Sequence, residues 1–396
     1  MHRTRRVGLV HLHFGPGGTE LLTLVLAKTL KENGFQVELV TAEKIHWASI
    51  QRFLGIGKEV IDRETVIPRF IRLAPMIYDL FAYWFLRDAI IVPLMRRRVD
   101  LSITVLPTLP VVFSDILYIH FPNFIPSYLE RYQITSKYSH DGWMAYSLPF
   151  RLFCKLSIKA FNSLKNKPVV LTNSVYSQRA MEDYLDVKAN VVYPPVDTQK
   201  YSHGCFGSRR RNIVLTISRF VENKALSELL SVAKDAPQAS FVVLGAATAK
   251  SDYETAERLR SEAEKMGISD RVSLIVNAGE NEKIKLFSQA KIYLHTMRYE
   301  HFGISIVEAM AGGLVPVVHR SGGPWLDILK ETEGEVGYSY SNNQEAATII
   351  SQLLKNESEL ERLSKRAIER AKAFDSSQFG SSMIRIVEGI LAKRTG

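Results

Sequence analysis

Short apolar runs rich in β-branched and aromatic residues alternate with longer stretches of helical periodicity along the whole chain. That alternation restricts the fold more than any other feature, because it is the pattern of α/β domains built on parallel sheets. The runs fall at residues 7–11, 37–41, 101–105, 116–120, 169–172 and 191–193, and then at 213–217, 241–244, 272–276, 292–295 and 315–318. Between the two sets lie Tyr193-Pro194-Pro195-Val196-Asp197 and a polar stretch through Ser208-Arg209-Arg210-Arg211, which predict a linker near 194–211. A chain of 396 residues is also long for one domain. The expectation is therefore two doubly wound Rossmann-like domains facing a cleft, 1–197 and 198–375. Ligands in such sheets sit beyond the carboxyl ends of the strands.

Composition narrows the class. With 46% hydrophobic and 23% charged residues the chain is globular. Its cysteines are Cys154 and Cys205, in no CxxC pattern and beside no histidine cluster, which predicts a reducing compartment and no metal site. No signal peptide is evident, since the basic start leads straight into the run at 7–11. No stretch reaches the roughly 18 unbroken apolar residues of a spanning helix. The nearest, 76–95, is interrupted by Asp79, Arg87 and Asp88. The net charge of +10 suits an anionic lipid surface, a phosphorylated substrate or nucleic acid, but no nucleic-acid motif accompanies it.

The chemistry concentrates at Glu300-His301-Phe302-Gly303-Ile304-Ser305-Ile306-Val307-Glu308. A strand at 290–295 precedes it and a helix over 304–311 follows the glycine. A strand, a glycine turn and a helix start make an anion site, because backbone N–H groups and the helix dipole converge on the turn. Glu300 is then placed to face a sugar, and Glu308 to accept hydrogen bonds from a ribose. Three further segments carry chemistry at strand ends. His11-Leu12-His13-Phe14-Gly15-Pro16-Gly17-Gly18-Thr19-Glu20 is a glycine-rich loop that alone reads equally as structural or ligand-binding. Ile119-His120-Phe121-Pro122 ends a strand. Arg219 and Lys224, five apart after the strand at 213–217, suit a diphosphate.

The wording of these segments resembles glycosyltransferase family 4. Residues 299–329, with the Glu-x7-Glu pattern and His319-Arg320-Ser321-Gly322-Gly323-Pro324, are similar to the mannosyltransferases that extend dolichol-linked oligosaccharide. The loop from His11 to Glu20 matches the HxxxGxGGxE pattern of the same enzymes, and His120-Phe121-Pro122 their His-Phe-Pro signature. Segments 171–177 and 192–197 match as well; they read as mainly structural, with Ser174 a candidate for the cleft lining. The resemblance implies the GT-B fold, with a last helix (376–396) returning to the first domain. It implies a retaining transfer of mannose from GDP-mannose to a polyisoprenoid-diphosphate oligosaccharide, without a metal or other cofactor. The segment at Glu300 favours an α-1,2 linkage, while His120-Phe121-Pro122 resembles the α-1,3/1,6 enzyme equally.

The same resemblance assigns His120, Glu300, Arg219 and Lys224 to catalysis. It assigns Gly17, Gly18, Gly245, Val276, Asn277, Phe302, Gly303, Ile304 and Glu308 to substrate binding, with Val276 and Asn277 at the nucleobase. Alternatives are a UDP-hexose-dependent member of the family in cell-surface glycan synthesis, or a non-catalytic nucleotide-sugar-binding subunit. Two segments combine aromatics with cations. The stretch 67–98 holds Tyr78, Phe81, Tyr83, Trp84 and Phe85 before Arg96-Arg97-Arg98. The stretch 143–167 holds Trp143, Met144, Tyr146, Phe150, Phe153 and Phe161 among Arg151, Lys155, Lys159, Lys165 and Lys167. Each reads equally as an interfacial helix or as a core face with a basic back. Together in the first domain they favour peripheral binding to an anionic membrane, on its cytoplasmic face.

Overall fold

The computed structural model describes residues 4–11, 14–15, 17–66, 91–105, 114–122, 148–202 and 211–395. The chain divides into two compact units, Met1–Pro195 with Ser377–Gly396, and Val196–Ser376.

The first unit is a parallel sheet of β1 (Arg6–Val10), β2 (Gln36–Thr41), β3 (Arg63–Val66), β4 (Leu101–Val105), β5 (Ile116–Ile119), β6 (Val169–Thr172) and β7 (Asn190–Val191). Their order is β3-β2-β1-β4-β5-β6-β7. The second is a parallel sheet of β8 (Ile213–Arg219), β9 (Ser240–Ala246), β10 (Val272–Val276), β11 (Ile292–His295), β12 (Val315–His319) and β13 (Tyr338–Tyr340), in the order β10-β9-β8-β11-β12-β13. In both sheets the chain starts in the middle, builds outward to one edge, then crosses back over its first strand. That reversal, between β1 and β4 and between β8 and β11, is the switch point where the loops at the strand carboxyl ends diverge and leave a crevice.

The central strands are apolar throughout because helices cover both faces of a parallel sheet. β4 and β5 are buried at every position. The edge strands β3 and β13 escape an apolar-run reading for the same physical reason in reverse. β3 is Arg63-Glu64-Thr65-Val66, half-exposed and bonded through polar side chains such as Thr65 Oγ1, which donates to Glu38 Oε1 at 2.7 Å. β7 stops at Val191, short of the expected 193, because its partner β6 ends at Thr172.

The core of the first unit gathers Leu9, Leu39, Ile103 and Tyr118 from the sheet with Leu22, Leu26 and Leu30 from the helix Gly18–Glu32. The last helix, Ser376–Thr395, adds Phe379, Met383, Val387 and Leu391 to that same core, one residue per turn along its buried stripe. The second core is built on Val214, Phe241, Val243, Ile292, Leu294, Val315 and Val317.

Among the described residues no helix is long and apolar enough to cross a membrane. The aromatics at 78–85 and Trp143, Met144 and Tyr146 lie outside the described residues, as do the side chains of Phe150, Arg151 and Phe153. The helix Leu148–Asn162 exposes Leu152 and Leu156 beside Lys155 and Lys159. Phe161, by contrast, is buried in a satellite core with Leu117 and Met181, so it belongs to packing and not to a membrane face.

Because Met383 is fully buried, Met383→Ala is expected to cost the first unit about 2–5 kcal/mol. Urea unfolding followed by a probe in that unit should show its transition at lower denaturant.

Candidate active site

The second unit brings two of the expected residues into direct contact. Glu300 follows β11 and Lys224 follows β8, the two strands flanking the switch point. Lys224 Nζ lies 2.6 Å from Glu300 Oε2 and 3.0 Å from Met297 Sδ. His295, the last residue of β11, puts Nε2 3.4 Å from the same Glu300 oxygen. Oε1 accepts from the His301 backbone N–H at 3.1 Å. Burial alone would raise the Glu300 carboxyl, but the Lys224 ammonium and the hydrogen bond from His295 hold it well below the usual carboxylate range. Burial lowers the neighbouring His301 to about 4, so that ring is neutral at pH 7.

Five hydrogen-bond contacts fix the backbone around the pair. Thr296 Oγ1 donates to the carbonyl of Lys224 at 2.7 Å, which locks the turn Glu222–Lys224 onto the β11 loop. The buried Tyr293 hydroxyl donates to Ile217 O at 3.2 Å and lies 2.8 Å from Ser305 Oγ. It thereby joins β8 to the start of the helix Ile304–Ala311. From below, the turn after β12 supports the loop. Ser321 Oγ accepts from the Tyr299 N–H at 2.9 Å, and the Gly323 N–H donates to Glu300 O at 2.8 Å. Gly322 has φ +71, and a Cβ there would stand 2.3 Å from Glu300 O. No other residue lets the two backbones approach so closely.

Gly303 precedes the helix Ile304–Ala311 with φ +95, and no side chain caps that terminus. Its first N–H groups therefore remain available to an anion. Phe302 is a packing residue, buried edge-on against Phe374 with centroids 5.2 Å apart. Ile304 is half-buried at the first helical position.

Glu308, in the second turn of this helix, takes hydrogen bonds from Tyr201 Oη at 3.0 Å and Lys283 Nζ at 3.1 Å, both at Oε1. Neither partner stood out in the sequence, since 107 and 25 residues separate them from Glu308. His295 and Ser321 were likewise not singled out as site residues, although a histidine ending a strand at the switch point is a readable signal.

The other expected residues are scattered more widely. Arg219 ends β8 with an exposed side chain and makes no ion pair among the described residues. Lys224, expected to serve a diphosphate beside it, pairs with Glu300. Gly245 is buried in β9, and the Phe220 ring fills the space of its missing Cβ at 2.3 Å, so its glycine answers to packing. Asn277 has φ +56 and spends its amide on the Ala247 backbone, accepting from N at 2.8 Å and donating to O at 2.9 Å. It also donates to the exposed Tyr253 hydroxyl at 3.0 Å. Val276 ends β10 beside Gly245.

In the first unit, Gly17 immediately precedes the helix Gly18–Glu32, and a Cβ on Gly17 would meet Glu20 Oε2 at 2.5 Å. His11 is buried, with Nδ1 2.6 Å from Thr23 Oγ1. His120 follows β5, its ring 5.0 Å from that of Tyr118. Ser174 does not line a surface. It is fully buried and caps the helix Val175–Leu185, accepting from the Ser177 N–H at 3.0 Å.

The Glu300 carboxyl supplies a pH test. A depressed folded pKa adds stability that is complete above the usual carboxylate range and fades as pH falls through the lower folded value. Glu300→Gln, which also strands Lys224, is expected to cost about 1–3 kcal/mol at pH 7. Chemical denaturation of both proteins at falling pH should show the gap closing.

Known proteins resemble the chain in sequence and in fold. Residues 206–370 match the family model described as Glycosyl transferases group 1. The chain is 28% identical over 215 residues to GDP-Man:Man(3)GlcNAc(2)-PP-Dol alpha-1,2-mannosyltransferase of Dictyostelium discoideum, a match covering 51% of this chain and 42% of that protein. To the human protein of the same name it is 30% identical over 214 residues, covering 50% and 43%. To that of Neurospora crassa it is 28% identical over 324 residues, covering 71% and 58%. The matches thus span 42% to 58% of these relatives' own lengths. Among solved structures, sucrose-phosphate synthase from Thermosynechococcus elongatus superposes with a TM-score of 0.73 at 16% identity, covering 98% of this chain and 100% of that one. WaaG, a glycosyltransferase involved in lipopolysaccharide biosynthesis, gives 0.71 at 14% identity, covering 97% and 100%. With its two parallel sheets and these neighbours, the chain has the GT-B fold of glycosyltransferases and carries, over residues 206–370, a domain of the glycosyl transferases group 1 family.

Proposed function

We propose that the chain is a retaining mannosyltransferase that moves mannose from GDP-mannose to a polyisoprenoid-diphosphate-linked oligosaccharide, forming an α-1,2 linkage. The observation that carries this reading is the Lys224–Glu300 pair beside an uncapped helix start at the switch point of the second sheet. The curated relatives, each named a GDP-Man:Man(3)GlcNAc(2)-PP-Dol alpha-1,2-mannosyltransferase, support the choice of donor, linkage and acceptor.

In this reading the bond from the sugar C1 to the diphosphate oxygen breaks, and a bond from C1 to the acceptor hydroxyl oxygen forms on the same face. The acceptor proton passes to the departing phosphate oxygen, so no protein base is required. The charge growing on the diphosphate is met by the N–H groups at Gly303 and Ile304, by the exposed Arg219 and by the Lys224 ammonium. Preorganised charge of this kind is commonly the largest catalytic contribution. These groups already serve the diphosphate, and the reaction proceeds without a metal. Glu300, held far below the usual carboxylate range, is a weak base and a poor nucleophile but a steady acceptor for hydroxyl groups of the sugar. Glu308 accepts from the ribose. The roles of His120, Gly17 and Gly18 rest on resemblance alone. The exposed Leu152, Lys155, Leu156 and Lys159 support contact with an anionic membrane, on its cytoplasmic face, where a lipid-linked acceptor would be presented.

The test is donor hydrolysis across GDP-mannose, UDP-glucose, UDP-GlcNAc and UDP-galactose in the presence of EDTA. Turnover is expected with GDP-mannose alone, with kcat/KM lowered about 100- to 1,000-fold in Glu300→Ala and Arg219→Ala. Preference for a UDP-sugar would discard mannose while leaving the site chemistry intact. No turnover with any donor would overturn the enzyme reading.

A further inference from the structure

Glu308 belongs to a charge cluster that the reaction as described does not use. Tyr201 Oη lies 3.0 Å from Glu308 Oε1 and 2.8 Å from Glu280 Oε1. Lys283 Nζ lies 3.1 Å from the former oxygen and 3.2 Å from the latter, and Lys200 Nζ lies 3.1 Å from Glu280 Oε1. Two carboxylates and two ammonium groups thus surround one phenol. Burial and the two carboxylates push the Tyr201 hydroxyl up, so it stays a donor at every working pH. Burial opposes the Lys283 ammonium, but Glu308 and Glu280 more than offset it, so it stays charged.

The cluster is braced by its neighbours. Tyr201 sits in the short helix Thr198–Ser202, whose start is pinned by Asp375 Oδ2, which accepts from Thr198 Oγ1 at 2.5 Å. Its ring packs edge-on against Phe287 at 5.3 Å, with Lys283 Nζ 4.8 Å from the ring centroid. A phenol carries one hydrogen, so it serves Glu308 or Glu280 at any moment and not both.

The terminal torsion of a glutamate is broad, and a partly exposed carboxylate does not keep one plane unaided. Glu308 is 12% exposed, and among the described residues every hydrogen bond to its carboxylate arrives at Oε1. Oε2 is left to accept from an incoming ligand. We propose that Tyr201 and Lys283 are positioning residues that fix the Glu308 carboxylate so that Oε2 accepts the ribose hydroxyls of the nucleotide-sugar. This rests on the reading of Glu308 as the ribose contact.

The experiment compares binding of GDP-mannose with that of its 2′,3′-dideoxyribose analogue by calorimetry, for the full chain, Tyr201→Phe, Lys283→Met and Lys283→Arg. Tyr201→Phe keeps the ring and its packing. The wild-type chain is expected to bind GDP-mannose at least about tenfold more tightly than the analogue. Tyr201→Phe and Lys283→Met should weaken GDP-mannose about five- to tenfold while leaving the analogue within twofold. Lys283→Arg should restore most of the loss. Equal weakening of both ligands would mean that the cluster only supports the fold, and no weakening would mean that Glu308 orients itself; either overturns the proposal. A wild-type chain that does not distinguish the two ligands overturns the ribose contact itself. If the donor panel selects a UDP-sugar, the same comparison on that sugar and its dideoxy analogue carries the test, so failure of the mannose reading stays distinguishable.

Discussion

The contact between Lys224 and Glu300 is the interaction on which the rest of the site depends. It ties the turn after β8 to the loop after β11, strands that are sequence neighbours of neither each other nor the loop beneath them. In a sheet that builds outward from β8 and then crosses back to β11, the loops leaving these two strands diverge, and nothing in the ladder itself holds them together. An ion pair at 2.6 Å does so. The Thr296 bond to the Lys224 carbonyl and the Tyr293 hydroxyl between β8 and Ser305 reinforce it. A pair this close is worthwhile at a partly buried site because the other carboxylate oxygen is also met, by the His301 N–H.

The same logic recurs at Glu308. Each carboxylate of the Glu-x7-Glu segment is supplied with its own ammonium before any substrate arrives, Lys224 for Glu300 and Lys283 for Glu308. For Glu300, burial alone would favour the protonated form, and the Lys224 ammonium more than offsets it. Arg219 is different. It stays exposed at the end of β8, outside any ion pair among the described residues.

Much of this was legible in the sequence, for identifiable reasons. Central parallel strands are buried on both faces, so β4, β6 and β11 appear as apolar runs with the boundaries found in the structure. The helix Ile304–Ala311 is announced by Gly303 ahead of it. Edge strands lack that signal, and β3 and β13 were invisible. What local pattern does not carry is partnership at long range. The sequence neighbours of Lys224 say nothing of its contact with Glu300, 76 positions away. Tyr201 reads as part of a linker, and Gly245 as a ligand-contact glycine, until Phe220 is seen in its place. Asn277 and Ser174 are polar residues at strand ends that the fold uses on its own backbone, the commonest fate of such side chains.

The central claim is that Lys224 and Glu300 act as one unit. A double-mutant cycle on kcat/KM for the donor, with Lys224→Met, Glu300→Gln and the double variant, tests it most directly. Residues acting as a unit are strongly non-additive. The account predicts that the double variant is no slower than the worse single variant, a coupling of at least about 1 kcal/mol. Losses that simply add in free energy would show that the two residues serve the reaction separately and would contradict it.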